Sequence, residues 1–121
     1  MNEAEQEAVD QLDRLNGVQE LRAATLALLL PAGSKRASRA WKLECAGSTR
    51  AVQVREWVQA LPATSRLPTF EALVSRMRNH PLDARQALLE ATRRVMAARG
   101  VTRPIDRLHW LEMRQRMGES T

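Results

Sequence analysis

Glycine and proline interrupt the chain at intervals of about one helix length, and this spacing limits the folds open to it. The interruptions are Asn16-Gly17, Pro31-Ala32-Gly33, Gly47, Pro62, Asn79-His80-Pro81, Gly100 and Gly118. Between them, apolar residues recur at i, i+3, i+4 and i+7, the spacing that places side chains on one face of a helix. The chain therefore reads as a series of short amphipathic helices, which leaves no room for a sheet.

Seven helices are predicted from these segments. They cover residues 3–15, 18–30, 35–46, 49–61, 68–77, 81–99 and 104–117. Ser34 is the expected cap of the third, Ser48 or Thr49 that of the fourth, and Pro68 and Pro81 are the expected first residues of the fifth and sixth. Because apolar side chains nearly encircle the second helix, we expect it to be the central and most buried one.

The length and composition favour one all-α domain. The 121 residues suit a single core, and 44% hydrophobic with 27% charged residues is ordinary globular usage. Since short connections make successive helices neighbours, we expect residues 1–121 to form one compact domain of six to seven short antiparallel or orthogonally packed helices. The first helix has a thin apolar stripe and is acidic, so residues 1–17 are expected to dock loosely.

The expected compartment is the cytoplasm, and no membrane insertion is expected. The N-terminus is acidic and polar, unlike a secretory signal, and the apolar run from Ala23 to Leu30 is too short to cross a bilayer. The lone Cys45 cannot form an intrachain disulfide, and no Cys/His spacing matches a zinc site. Cys45 is interpreted as a small core residue.

The charge is unevenly distributed along the chain. Residues 1–20 carry six acids and one base, a net charge of −5, whereas the rest carries a net +10. This asymmetry is typical of an acidic segment that lies on a basic body, or of a basic body that meets an anionic partner. Arginines scattered through nearly every helix would also produce it with no binding role.

Catalytic patterns are missing from the sequence. It contains no HExxH helix, no nucleophile elbow and no glycine-rich phosphate loop. His80 is interpreted as part of the turn before Pro81, and His109 as the edge of a packing face. We therefore predict no catalytic residues, no metal site and no cofactor; a metal protein that uses these histidines with Asp83 and Asp106 is the least favoured alternative.

The third helix carries the first of two basic stripes. Lys35, Arg39 and Lys42 lie at i, i+4 and i+7, and Arg36 is adjacent to Lys35. Four cations thus share a broad face that could contact phosphates. Acids elsewhere in the chain interrupt the positive faces and weaken the case for a continuous phosphate track.

The last helix carries the second stripe. Arg103, Arg107, Trp110 and Arg114 lie at i, i+4, i+7 and i+11, so one aromatic residue is embedded among cations. Such a stripe could dock on a protein partner, stack on a base or lie at a lipid head-group layer. The alternative is that Trp110 belongs to the core and the arginine stems cover it.

A family resemblance covers residues 22–117 and begins with the segments RAATLALLL and QALPATSRLP. From Leu67 onward, LPTFEALVSRMRNHPLDARQALLEATRRVMAARGVTRPIDRLHWLEMRQRM resembles the helical accessory region at the C-terminus of some bacterial membrane zinc peptidases of the CAAX-protease class, and its later segments resemble TerB-like helical domains. The peptidase core is absent. Arg99 replaces the carboxylate that TerB-like domains place before Gly100, which leaves Asp106 without an acidic companion. The resemblance implies a helical adaptor near a membrane complex, with no protease activity.

Two functions from different classes follow. The first is a non-enzymatic helical adaptor or regulatory protein that docks on an unidentified protein through the Trp110/Arg stripe, and that also has the acidic first helix available. The second is a nucleic-acid binder that uses phosphate contacts from the third and last helices. Either reading is compatible with a homodimer formed through an exposed apolar stripe.

Overall fold

A computed structural model describes residues 1–30, 33–45 and 48–98, together with residues 111, 114 and 115. These residues contain six helices and no strand, so the predicted all-α class is confirmed. The helices are α1 (Glu3–Asp13), α2 (Val18–Leu28), α3 (Lys35–Glu44), α4 (Thr49–Ala60), α5 (Ala63–Met77) and α6 (Leu82–Ala98). The predicted seventh helix, over residues 104–117, lies outside the described residues except at 111, 114 and 115.

The second helix lies at the centre, as the sequence predicted. Leu21 and every residue from Ala23 to Ala27 are buried, and α2 packs against α4, α5, α6 and α3. Side chains of this kind stabilise a small domain by about 25 cal/mol for each Å² of apolar surface removed from water. The remaining helices therefore cover α2 on nearly every side.

The first helix packs against two other helices, and how firmly it docks stays a prediction. Ala8, Leu12 and Leu15 are almost fully buried, and α1 packs against α4 and α5. Its N-terminus is fixed by a capping box in which the Asn2 side chain accepts from the Glu5 N–H and the Asn2 N–H donates to the Glu5 carboxylate. The buried stripe of α1 thus faces the two helices that flank it.

The fifth helix starts five residues earlier than predicted. Its first residue is Ala63, directly after Pro62, and Pro68 lies inside the helix instead of opening it. Proline at this position removes one hydrogen bond to the Thr64 carbonyl. Thr64 and Pro68 are both exposed, so water can replace that bond. The prediction was wrong because the extended conformation of Pro62 already starts the helix.

Serine side chains begin α3 and α4. The Ser34 hydroxyl accepts from the Ala37 N–H at 3.1 Å, and the Ser48 hydroxyl accepts from the Ala51 N–H at 3.0 Å. Ser34 was the predicted cap, and Ser48 is confirmed over Thr49 as the cap of the fourth helix. Gly33 precedes the first of these caps with a φ of 77°, a conformation that favours glycine.

Candidate interaction surface on α3

The inner face of α3 fixes the orientation of the whole helix. Ala37 and Trp41 are buried, as the sequence predicted. The Trp41 Nε1 donates to the Ala23 carbonyl of α2 at 3.0 Å, and the Arg55 guanidinium lies 5.0 Å from the centre of the Trp41 ring. An aromatic ring with a satisfied N–H and a cation over it has one well-defined position. The opposite face of α3 is therefore held towards solvent.

Four cations and one leucine make up this solvent face, which we call the basic face: Lys35, Arg36, Arg39, Lys42 and Leu43. All five residues are exposed, and the Leu43 side chain is 74% accessible. None of the four cations forms an ion pair or a side-chain hydrogen bond with another described residue. At 1.5 Å per residue, Lys35 and Lys42 are about 10 Å apart along the helix axis. The structure thus brings together the predicted phosphate-binding residues and adds an apolar residue that the sequence analysis did not single out.

The single acid of α3 points away from the basic face. The Glu44 side chain is only 12% exposed. Its carboxylate receives two hydrogen bonds from Arg94 of α6, at 2.6 Å and 3.0 Å, and one from Arg22 of α2 at 3.1 Å. The Arg94 hydrogen bonds, followed by the charges of Arg94 and Arg22, hold the pKa of Glu44 below its usual value despite its burial.

The contacts of Glu44 have an electrostatic consequence for the surface. Two arginines already balance the negative charge of Glu44, and the carboxylate lies on the protein side of the helix. It therefore does not neutralise the neighbouring cations of the basic face. Counting Glu44 among the charges of α3 would understate the positive potential that a ligand meets there.

Cys45, at the C-terminal end of α3, is half-buried and packs against the core. Burial raises the pKa of its thiol to about 11. The thiol therefore stays protonated at neutral pH, a form that is a poor nucleophile and a poor metal ligand. This position is consistent with its predicted role as a small packing residue.

The second predicted stripe cannot be placed on the fold. Arg103, Arg107 and Trp110 lie outside the described residues, as do Asp106 and His109; Arg114 has helical conformation. The role of this stripe therefore stays a prediction.

His80 has a structural contact in the turn before α6. Its Nε2 lies 2.7 Å from the Asn16 carbonyl oxygen, so the side chain links the α5–α6 turn to the α1–α2 connection. Within the described part of the chain, no group of three or more His, Cys, Asp or Glu residues could hold a metal ion.

Three arginines have a role that the sequence analysis missed: they donate to carbonyls at the C-termini of helices. Arg66 donates to the Val58 and Leu28 carbonyls, at 3.3 Å and 3.2 Å. These carbonyls belong to the last turns of α4 and α2, which have no basic residue of their own. A guanidinium at such a position supplies a donor to carbonyls in the last turn, one of which, Val58, also accepts from the Leu61 N–H, and it interacts favourably with the helix dipole.

Arg76 and Arg22 do the same for α1 and α3. Arg76 donates to the Leu12 carbonyl at 2.8 Å and lies 3.6 Å from the Asp13 carboxylate. Arg22 reaches the Glu44 carbonyl at 3.4 Å. The sequence contained one usable signal, the lack of a cation in the last turns of α1, α2 and α4. It did not indicate which distant arginine supplies the charge.

Among the described residues, no helix is long and apolar enough to cross a membrane. Comparisons of the chain with models of protein families, with curated proteins and with solved structures find no match. The chemistry of the basic face is therefore what indicates a function.

Proposed function

We propose that this chain is a non-enzymatic helical adaptor or regulatory protein, and that its basic face binds an acidic surface of another protein. One observation carries the proposal: the four exposed cations of α3 have no ion pair or side-chain hydrogen bond in the described part of the chain and share their face with a leucine that is 74% accessible. Cations of this kind accelerate encounter with an anionic partner. The leucine supplies the apolar contact that favours a protein as the partner.

Leu43 is the residue that favours a protein over a nucleic acid. Contacts with phosphates come from cations and from polar donors, and an exposed leucine adds nothing to them. In a protein interface, a leucine that enters a pocket contributes about 1.5–3 kcal/mol of apolar burial. Because Leu43 follows Lys42 directly and lies one turn after Arg39, a partner that contacts these cations also covers the leucine.

The rigid support of α3 also agrees with a binding role. Trp41 and Glu44 each tie the helix to neighbouring helices through hydrogen bonds. A preorganised surface loses less conformational entropy on binding than a mobile one. The exposed cations still lose side-chain freedom on binding, so we expect moderate affinity. Because the contacts are between charges, this affinity should also depend on salt.

The second candidate function is nucleic-acid binding through the same cations. Three of them lie along one line of the helix over about 10 Å, so they could contact adjacent phosphates. Such binding would lose affinity steeply as salt increases, by a factor that grows with the number of phosphates neutralised.

The resemblance to TerB-like and CAAX-protease-associated helical regions gives this proposal a setting, a bacterial cytoplasmic protein that works beside a membrane complex. In that setting Arg103, Arg107, Trp110 and Arg114 would form a second contact surface for the protein partner. This part of the proposal depends on the sequence pattern alone.

Two variants separate the candidate functions. Lys35→Gln/Arg39→Gln removes two cations, and Leu43→Gln removes the apolar side chain without changing charge. The matched control for the second is Val52→Gln, since Val52 is an exposed branched residue on α4. Each variant is compared with the wild-type chain in nuclease-treated affinity capture from the native cell, and in binding to a fluorescent DNA duplex over a range of salt concentrations.

If the partner is a protein, a specific band survives nuclease, and both the double variant and Leu43→Gln reduce it about tenfold while Val52→Gln does not. If the partner is a nucleic acid, the DNA is bound, the double variant weakens it and Leu43→Gln leaves it unchanged. Captured material that is indifferent to every substitution on α3 would contradict both functions of this face.

A further inference from the structure

The first helix carries acids at the same spacing as the cations of α3. Glu3, Glu7 and Asp10 are all exposed on α1 and lie at i, i+4 and i+7, so they share one side of the helix. We call these three residues the acidic face. Lys35, Arg39 and Lys42 follow the same three-residue pattern on α3, and the two helices are nearly equal in length, with 11 and 10 residues.

The two faces do not neutralise each other within one molecule. α1 packs against α4 and α5, whereas α3 packs against α6 and α2. No ion pair between described residues involves any of the three acids or any cation of the basic face. Both charged faces therefore remain available for contacts outside the molecule, as far as the described residues extend.

Stabilisation of α1 itself does not explain the whole acidic face. An acid at the N-terminus of a helix interacts favourably with the helix dipole, which explains Glu3. Glu5, outside the face, has its own role in the capping box. Asp10 lies in the last turn, where a negative charge is unfavourable, and that turn contains no basic residue. Asp10 is hydrogen-bonded to Gln6 and forms no ion pair with another described residue, and the exposed Arg14 lies one turn further along the chain.

We propose that a second copy of this chain docks its acidic face on the basic face. When α1 of one copy lies antiparallel to α3 of another, the equal span of the two sets lets each of the three acids meet one cation, with Asp10 beside Lys35 and Glu3 beside Lys42. Exposed apolar residues accompany both faces, with Leu43 on α3 and Met1 at the start of α1. Complementary charge with a small apolar contribution gives weak, salt-sensitive association.

The geometry of this contact sets the form of the assembly. The two surfaces are different patches, so the contact is heterologous, with one copy supplying α1 and the next supplying α3. Every added copy leaves one acidic and one basic face free, and the mean size of the assembly therefore increases with protein concentration. The inference uses the face to which the proposed function assigns a protein partner, but it requires only the purified chain.

Sedimentation velocity of the full chain is the first test. At a protein concentration of about 0.5 mM, we expect association at roughly 20 mM salt and its loss at roughly 500 mM salt, where charges are screened within a few ångströms. A wild-type chain that is monomeric under both conditions would overturn the inference. So would association that is insensitive to salt.

A charge swap identifies the two faces. Glu7→Lys/Asp10→Lys changes the net charge of the acidic face from −3 to +1, and Lys35→Glu/Arg39→Glu makes the start of α3 acidic. Both changes place charge in the sense that the helix dipole favours, so the helices stay formed. Each double variant alone should associate at least roughly tenfold more weakly than wild type. An equimolar mixture should recover association, because the unchanged acidic face of one variant meets the unchanged basic face of the other, and the two altered faces also match in charge.

Recovery in the mixture cannot come from misfolding, so it supports the proposed contact, and its failure would overturn it. The matched control for Glu7→Lys is Glu56→Lys, an equal charge reversal on the exposed side of α4, which should leave association unchanged. Partner capture and self-association are measured separately. If the α3 substitutions do not change partner capture but the chain self-associates as expected, only the proposed function is contradicted. If they reduce partner capture but the chain does not self-associate, only this inference is contradicted.

Discussion

The inward arginines and the outward cations of this chain have the same charge but different partners. Arg22, Arg66 and Arg76 are half-buried and donate to carbonyls at the ends of α1–α4. The cations of the basic face have no such contacts among the described residues. The difference teaches that net charge alone does not locate a binding surface here, because part of the positive charge is used to connect helices. What remains on α3 is the part that a partner meets.

The largest effect is expected at an inward arginine. Arg66→Met keeps most of the stem but removes the donor of the Leu28 carbonyl and leaves the Val58 carbonyl with the Leu61 N–H alone. We expect the free energy of unfolding to fall by about 2 kcal/mol. Urea denaturation measures it, with Arg78→Met as the control because Arg78 is an exposed arginine. Equal stability of the two variants would erase the distinction between inward and outward cations.

A smaller loss of stability is expected when the acid that pairs with two arginines, Glu44, is changed. Glu44→Gln keeps the shape but removes the charge that Arg94 and Arg22 share, and we expect a loss of about 1 kcal/mol at pH 7. Chemical denaturation of the variant beside wild type tests this. A variant as stable as wild type would show that the three-residue contact adds nothing.

The pH dependence of stability sharpens the same point. The folded-state pKa of Glu44 is lowered from its ordinary 4.5, chiefly by the hydrogen bonds from Arg94. The stability that ionised Glu44 contributes is therefore fully present above the unfolded-state pKa and is lost as pH falls through the folded-state pKa. Wild type should lose more stability than Glu44→Gln between about pH 6 and pH 3. Parallel stability curves for the two proteins would contradict this assignment.

The smallest effect on stability is expected on the basic face. Lys35→Gln/Arg39→Gln changes exposed side chains without intramolecular partners among the described residues, so the free energy of unfolding should change by less than about 0.5 kcal/mol. A thermal or urea midpoint near that of wild type confirms it. A large loss would mean that these cations hold the fold together, and the contrast with Arg66 would disappear.

The sequence predicted the helices well where local signals determine them. Ser34 and Ser48 cap helices as expected, and Trp41 lies on the inner face of α3. The prediction failed at Pro68, because proline is tolerated inside a helix where water can reach the freed carbonyl. At α1, the apolar stripe in the sequence did not indicate that two helices, α4 and α5, flank it.

The candidate surface was predictable only in part. The spacing of Lys35, Arg39 and Lys42 placed them on one face, and the structure agrees. That Glu44 turns inward depends on Arg22 and Arg94, which lie 22 and 50 residues away in sequence. No periodicity within α3 contains that information. The exposure of Leu43 depends likewise on where the other helices pack.

Arg76 donates to the Leu12 carbonyl across 64 residues, and His80 contacts Asn16 across the same separation. During synthesis on the ribosome, the N-terminal helix emerges long before the residues that fasten it. It can form these two contacts only after Arg76 and His80 have been translated. Contacts of such long sequence separation are expected to slow folding.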